Sequence, residues 1–97
     1  MLIVTKRGYE KMDKIKLGVL VGGTSIEREV SKKSCENLLA NLDENKYEIT
    51  VYHLPADGNT EWAKNIISNP PQIVLSALHG GNGENGSIQG FLHCLNI

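Results

Sequence analysis

Three short apolar runs alternate with three helical patterns along this chain, and this order constrains the fold more than any other feature. The runs are Ile15 to Val21, Tyr47 to Leu54 and Gln72 to Leu78. Each run ends at glycine, proline or a glycine-rich loop, and a helical pattern follows it. Strands that alternate with helices through short connections predict an α/β domain with a parallel sheet and right-handed crossovers.

The helical segments are predicted from apolar spacing and from residues that stop helices. The first carries apolar or small residues every fourth position, which predicts one buried stripe. The second spans Thr60 to Ser68 and must end before Pro70. The third spans Ser87 to Leu95. The predicted stripe of the first helix consists of Val30, Ser34, Leu38 and Leu42, with Cys35 and Leu39 beside them.

Length and charge exclude several classes of protein. A chain of 97 residues allows one small domain. The formal net charge of −1 opposes a nucleic-acid surface, which normally carries a basic excess. The longest uncharged run, residues 65–83, contains prolines, asparagines and glycines, so no membrane span is predicted.

The first thirteen residues form a leader without sustained periodicity, and residues 14–97 form the domain. We expect the leader to be disordered or an added edge strand. Met12 lies three residues before the first apolar run, so it is the expected natural start and residues 1–11 are upstream of it.

Cys35 and Cys94 stand far apart, with no C-x-x-C motif and no histidine pair at zinc-ligand spacing. Two isolated thiols suit the reducing cytosol, so we predict a cytoplasmic protein with neither a disulfide nor a metal site.

Ligands of parallel sheets bind beyond the carboxyl ends of the strands. Two polar, glycine-rich loops are expected there, Gly22 to Glu29 after the first strand and His79 to Gly86 after the third. The glycines of the first loop do not form G-x-G-x-x-G, and no acidic residue ends the second strand. A nucleotide site in this segment is therefore not predicted.

Glu27 is the first candidate binding residue. A carboxylate at this edge would repel a phosphate but suits the ammonium group of a ligand. The alternative is structural, because Thr24 and Glu27 have the spacing of a capping box, in which Glu27 would bond a backbone amide. The sequence pattern leaves both interpretations open.

His79 is the second candidate, because it follows a buried strand and precedes Gly80 and Gly81, which allow close approach of a ligand. A histidine there can donate to a carboxylate or shuttle a proton. The alternative is a hydrogen-bonded structural residue. Glu84 lies in the same loop, where an exposed turn residue or a cap for the helix near Ser87 is the ordinary interpretation.

Taken together, the two loops resemble the amino-terminal domain of D-alanine–D-alanine ligases, the ATP-grasp enzymes that make the dipeptide of bacterial peptidoglycan precursors. The resemblance covers about residues 14–97 and implies a three-layer, Rossmann-like (pre-ATP-grasp) α/β domain with a parallel sheet flanked by helices. One departure is Asn85, where the family commonly has aspartate. The segments that carry the resemblance are Gly22 to Ser31, Ser34, and His79 to Gly90.

The resemblance also implies residue roles. Glu27 matches the glutamate that anchors the ammonium of the first D-alanine, linked in complete enzymes to a serine and a tyrosine of the next domain. Val30 matches a residue near the methyl group of that substrate. His79 matches a histidine close to the same amino acid, and the resemblance makes Glu27 and His79 the catalytic residues. Gly80 belongs to the same substrate-binding loop as His79.

The family binds ATP, Mg²⁺ and the second D-alanine mainly on a central and a carboxy-terminal domain. We therefore expect the 97-residue chain to bind no cofactor, to be inactive alone, and to function together with those domains. The resemblance also implies a homodimeric ligase that acts on D-alanine. The alternative is a non-catalytic binding or dimerisation module. Ligases that join D-alanine to D-lactate or D-serine resemble this segment equally.

Overall fold

The computed structural model describes residues 14–97 in full and the backbone of two short strands before them. These strands, β1 (Leu2–Thr5) and β2 (Gly8–Lys11), pair antiparallel in a sheet of their own. In the described backbone, neither strand is an edge strand of the parallel sheet, so that expectation is wrong. Residues 1, 6–7 and 12–13 lie outside the described part of the chain, and the natural start at Met12 stays a prediction.

The alternation expected from the sequence is confirmed. After β1 and β2 the elements are β3 (Ile15–Gly22), α1 (Arg28–Asn41), β4 (Tyr47–Leu54), α2 (Glu61–Ser68), β5 (Ile73–Ser76), a 3₁₀ turn (Gly81–Gly83) and α3 (Ser87–Cys94). None of the helices in residues 14–97 is both long enough and apolar enough to cross a membrane.

The parallel sheet has the strand order β4-β3-β5. The central strand β3 pairs with β4 from Ile15↔Tyr47 to Gly22↔Leu54 and with β5 from Leu17↔Ile73 to Leu20↔Ser76. Leu17, Val19, Leu20 and Val21 of β3 are all buried. A continuous apolar run suits this central position, because helices cover both faces of a parallel sheet.

Two apolar clusters lie on opposite faces of the sheet, so the three-layer arrangement is confirmed. On one face α1 contributes Cys35, which packs with Val19, Val21 and Ala77. On the other face α2 and α3 cover the sheet, and Trp62 meets Phe91 edge to face with ring centroids 5.8 Å apart. The buried members of this second cluster are Leu20, Tyr52, Leu54, Ile66, Leu78, Ile88 and Leu92.

The buried stripe of α1 is confirmed over most of its length and differs at its start. Cys35, Leu38, Leu39 and Leu42 belong to the apolar cluster on that face. Val30 is 53% exposed, whereas Ser31 is buried. Ser31 is buried instead because its hydroxyl accepts a hydrogen bond from the backbone N–H of Gly22 (2.9 Å), which makes its burial favourable. A bond between distant residues cannot be inferred from apolar spacing.

The last strand is shorter than predicted. It ends at Ser76, although the Ala77 N–H still donates to the Leu20 carbonyl (2.9 Å) and both Ala77 and Leu78 remain buried. Leu78 packs into the apolar cluster of α2 and α3, and the chain leaves the sheet there. His79 therefore emerges beside the end of β3.

Candidate active site

The loops after β3 and β5 meet at the carboxyl edge of the sheet. These strands are neighbours, and the chain crosses to β4 over one face and returns to β5 over the other, so the crevice between the loops is the topological switch point. The loops touch at Gly80, where an added Cβ would lie 2.8 Å from Ser25 Oγ and 3.1 Å from Glu27 Oε2.

Glu27 immediately precedes α1 as its N-cap residue and makes no side-chain capping bond. Its backbone N–H donates instead to Ser25 Oγ (3.1 Å). Thr24 is exposed and lies four residues before the helix begins. The capping-box alternative is therefore wrong, because Glu27 is not at the third position of a helix capped by Thr24, and its exposed carboxylate is directed into the crevice at Gly80.

His79 is half-buried, and its position is set by a contact with α1. The Nε2 atom of its ring lies 2.9 Å from the hydroxyl oxygen of Ser34. Ser34 lies seven residues after Glu27, which places the two on neighbouring positions of the same side of the helix, two turns apart. Helix α1 thus positions both candidate residues: Glu27 stands at its start, and its Ser34 contacts His79.

Glu84 completes a cluster that the sequence analysis did not assign. A carboxylate oxygen of Glu27, a ring nitrogen of His79 and a carboxylate oxygen of Glu84 all lie within 4.8 Å of one another. Glu84 does not cap α3, because the N-cap is Gly86 and the Ser87 N–H donates to Asn85 Oδ1 (3.0 Å). The helix-cap alternative is therefore wrong, and the exposed-turn alternative is confirmed, because Glu84 is exposed directly after the 3₁₀ turn.

Asn85, the position that departs from the resemblance, makes two side-chain hydrogen bonds. Its side-chain oxygen accepts from the Ser87 N–H at the start of α3. The oxygen of an aspartate is an equally good acceptor at such a position. The side-chain nitrogen of Asn85 also donates to Asn82 Oδ1 (3.3 Å), a bond that aspartate cannot make.

Two carboxylates and an imidazole at this spacing favour a cation. Acceptors that surround an ammonium nitrogen at hydrogen-bond distance stand about 4.7 Å apart. Ligands of a metal ion such as Zn²⁺ or Mg²⁺, bound at about 2.1 Å, stand at most about 4.2 Å apart, so the same limit of 4.8 Å includes them. The cluster accommodates an ammonium group, and the expected absence of a metal stays a prediction.

A small cleft of ≈ 90 Å³ adjoins the cluster, between the loops that follow β3, β4 and β5. His79 and Gly80 form part of its wall, and its apolar lining includes Leu54, Trp62 and Ile88. Val30 lies outside it, exposed on α1 and three residues after Glu27. The structure thus brings Glu27, His79 and Gly80 together and leaves Val30 beside them.

Two residues of this edge had weaker signals in the sequence. Glu84 was assigned an ordinary turn role, because nothing in its spacing connects it with Glu27. Ser34 was assigned to the buried stripe of α1. Its spacing of seven from Glu27 is a signal that could have placed both on one side of the helix.

Comparison with known proteins identifies the domain. A family model described as "D-ala D-ala ligase N-terminus" matches residues 16–72, more than half of the chain. A D-alanine–D-alanine ligase of Bacillus anthracis (strain CDC 684 / NRRL 3495) is 42% identical over 84 residues, which cover 86% of this chain and 26% of the relative. The ligase of Desulforudis audaxviator (strain MP104C) is 39% identical over 82 residues, which cover 84% and 26%.

Solved structures have the same fold. The B. anthracis D-alanine–D-alanine ligase complexed with ATP has a TM-score of 0.72 and 36% identity, with 89% of this chain and 27% of that chain covered. The VanG D-Ala:D-Ser ligase of Enterococcus faecalis, at 23% identity, supports the fold alone, with a TM-score of 0.74. The chain spans about a quarter of the length of the curated relatives it matches. By its family match and its relatives, it belongs to the amino-terminal domain family of D-alanine–D-alanine ligases.

Proposed function

We propose that this chain forms the subsite for the first D-alanine of an ATP-dependent D-alanine–D-alanine ligase. The observation that carries the proposal is the cluster of Glu27, His79 and Glu84 at the switch point of the sheet. Their carboxylate oxygens and ring nitrogen lie within 4.8 Å of one another. Membership of the ligase family supports the assignment of the substrate.

The two carboxylates hold the ammonium of the first D-alanine. Negative charges at this distance repel each other, and a cation between them removes the repulsion. They also stabilise the charged form of the substrate amine. An amine kept protonated cannot act as a nucleophile, so the first D-alanine reacts only through its carboxyl group.

His79 is proposed to direct a ring N–H toward the carboxylate of the same substrate. Gly80 allows the substrate to approach the loop, because any side chain there would meet Ser25 and Glu27. Val30 is proposed to contact the methyl group from the first turn of α1. Each of these roles positions the substrate for reaction at its carboxyl carbon.

ATP with Mg²⁺ supplies, in the complete ligase, the phosphoryl group that activates this carboxylate before the second D-alanine attacks. We propose that the groups that hold ATP and the second substrate belong to the three quarters of the relatives' length that this chain does not match. The 97 residues alone are then inactive. A homodimeric, cytoplasmic ligase remains part of the proposal.

The subsite is tested by following backbone amide NMR signals of the ¹⁵N-labelled chain during addition of D-alanine. Shift changes are expected at Glu27 and in residues 79–84, with a dissociation constant on the order of tens of millimolar, because exposed ion pairs contribute little. D-lactate, which has a hydroxyl in place of the ammonium, is expected to cause no such changes at equal ionic strength.

Glu27→Gln removes the negative charge and is expected to abolish the D-alanine response. Glu29→Gln is the matched control, because Glu29 is exposed and its carboxylate pairs with Lys32 (3.1 Å) outside the cluster. An equal response of both variants, or an equal response to D-lactate, would contradict the proposal.

A further inference from the structure

We infer that Ser34 is a positioning residue that holds the ring of His79 in one orientation and one tautomer. The role of this orientation in substrate binding rests on the proposed function. Its geometric basis is independent of that function, since the Ser34 hydroxyl lies 2.9 Å from His79 Nε2.

Ser34 is itself held in place by α1. The preceding Ser31 joins this helix to the end of β3 through Gly22, and the following Cys35 is buried against the sheet. His79, by contrast, lies in a loop that has already left the sheet at Ser76. A side chain on a rigid helix can therefore orient one on a loop.

The hydroxyl proton of Ser34 is available for this contact. Serine in a helix commonly donates to a carbonyl of the preceding turn, as Ser68 does to the carbonyls of Lys64 (2.9 Å) and Asn65 (3.2 Å). Within residues 14–97, the hydrogen bond found for the Ser34 hydroxyl joins it to His79 across the two elements.

The neighbouring carboxylates select the direction of the bond. Ionised carboxylates only accept hydrogen bonds, so a neutral ring near Glu27 and Glu84 is favoured when it offers an N–H to them or to a substrate carboxylate. With Nε2 facing Ser34, that proton is on Nδ1. The Ser34 hydroxyl then donates to Nε2, and the Nδ1–H of His79 serves the substrate.

The tautomer is measured by long-range ¹H–¹⁵N correlation of the imidazole rings at a pH where they are neutral. His53 and His93 are exposed and serve as internal references for an unconstrained ring. The expected result is a protonated Nδ1 and an unprotonated Nε2 for His79, unlike the two references. A tautomer mixture for His79 equal to that of the references would overturn the inference.

Variants separate the positioning role from a general effect on the fold. Ser34→Ala is expected to give His79 the tautomer mixture of the references, Ser34→Thr to keep the single tautomer, and the control Ser68→Ala to change nothing. The backbone amide spectrum of residues 14–97 verifies folding in each variant. An unchanged His79 ring in Ser34→Ala would overturn the inference.

Addition of D-alanine distinguishes failure of this inference from failure of the proposed function. If both hold, Ser34→Ala binds D-alanine about fivefold more weakly, as expected for one lost hydrogen bond, and Ser34→Thr binds as the original chain does. A tautomer change without any D-alanine response in the original chain would refute the proposed function and leave the contact standing. Equal binding by Ser34→Ala and the original chain would overturn the positioning role.

Discussion

Gly80 is a residue at which the two loops meet. Its φ of +69° lies in the region that L side chains rarely adopt, and an added Cβ would also come within 2.8 Å of Ser25 Oγ. Gly90 differs on both counts, since it lies inside α3 and an added Cβ would meet no atom within 4 Å. The pair allows the requirement for glycine in the loop to be separated from its general effect on stability.

We predict that Gly80→Ala lowers the free energy of unfolding by about 1–3 kcal/mol, because its positive φ with an extended ψ is essentially restricted to glycine. It also weakens the D-alanine response, because the methyl group displaces Glu27. Gly90→Ala is expected to raise stability by about 0.5–1 kcal/mol, because alanine favours a helix interior. Urea unfolding measures both effects. Equal stability of the two variants would contradict the description of the loop.

Single residues of the site were partly predictable from the sequence. Glu27 and His79 follow strands at the edge where ligands of parallel sheets bind, so their position in the chain was informative. The choice between a capping box and a free carboxylate depended on where α1 begins, and one turn of helix separates those alternatives. Glu84 required the fold of the loop, which brings it back toward Glu27 and has no simple sequence signature.

At the scale of elements, Ser31 explains how α1 is fixed to the sheet. It is fully buried, and its hydroxyl accepts the N–H of Gly22 at the end of β3. The Gly22 backbone, with a φ of +94°, turns there toward the loop that carries Glu27. The bond therefore connects the packing of the helix to the geometry of the site.

Ser31→Ala is predicted to lower the free energy of unfolding by about 1–3 kcal/mol, because it leaves the buried Gly22 N–H without its partner. Ser68→Ala is the matched control, since that hydroxyl is exposed on α2 and bonds only its own helix. Its expected effect is within about 0.5 kcal/mol. Denaturant midpoints compare the two, and equal midpoints would refute the role assigned to Ser31.

The existence and type of each strand and α-helix from β3 to α3 were predictable, because apolar runs and helical spacing persist over many residues. Strand β4 has the predicted bounds, Tyr47–Leu54. The burial of Ser31 in α1 was not predictable, since a buried serine looks polar in any pattern. Strand β5 is shorter than its apolar run, because burial of Leu78 does not require continued strand pairing.

At the scale of the whole molecule, two buried ionisable side chains connect stability to pH. Burial, with a smaller contribution from Glu36, raises the pKa of the Cys35 thiol above its ordinary value of 9.0. Burial also raises the pKa of Tyr52 above its ordinary value of 10.0. The unfolded chain therefore loses these protons at lower pH than the folded chain does.

The free energy of unfolding is predicted to fall as the pH rises above about 9, because the unfolded state binds fewer protons there than the folded state. Below about pH 8 both states keep the two protons, and these groups add no pH dependence. Urea midpoints across this range measure the fall. Cys35→Ala and Tyr52→Phe should each make it shallower, and an unchanged slope in both would contradict this explanation.

The parallel three-layer architecture was predictable from the alternation of elements, but the strand order β4-β3-β5 was not. Spacing along the chain shows that crossovers connect the strands, and it does not show on which side of β3 the third strand lies. That order decides which loops form the crevice. The resemblance carried by the two loop motifs supplied what periodicity could not, because the motifs contain the residues that meet there.

The central claim is that this chain provides the ammonium anchor for the first D-alanine of a ligase. The most direct test replaces the matching segment of the B. anthracis ligase with residues 14–97 and measures phosphate release and KM for the first D-alanine. The isolated chain is expected to release no phosphate. The hybrid is predicted to be active, with Glu27→Gln raising that KM about tenfold or more and Glu29→Gln leaving it unchanged. An active hybrid in which Glu27→Gln and Glu29→Gln have the same KM would contradict the claim.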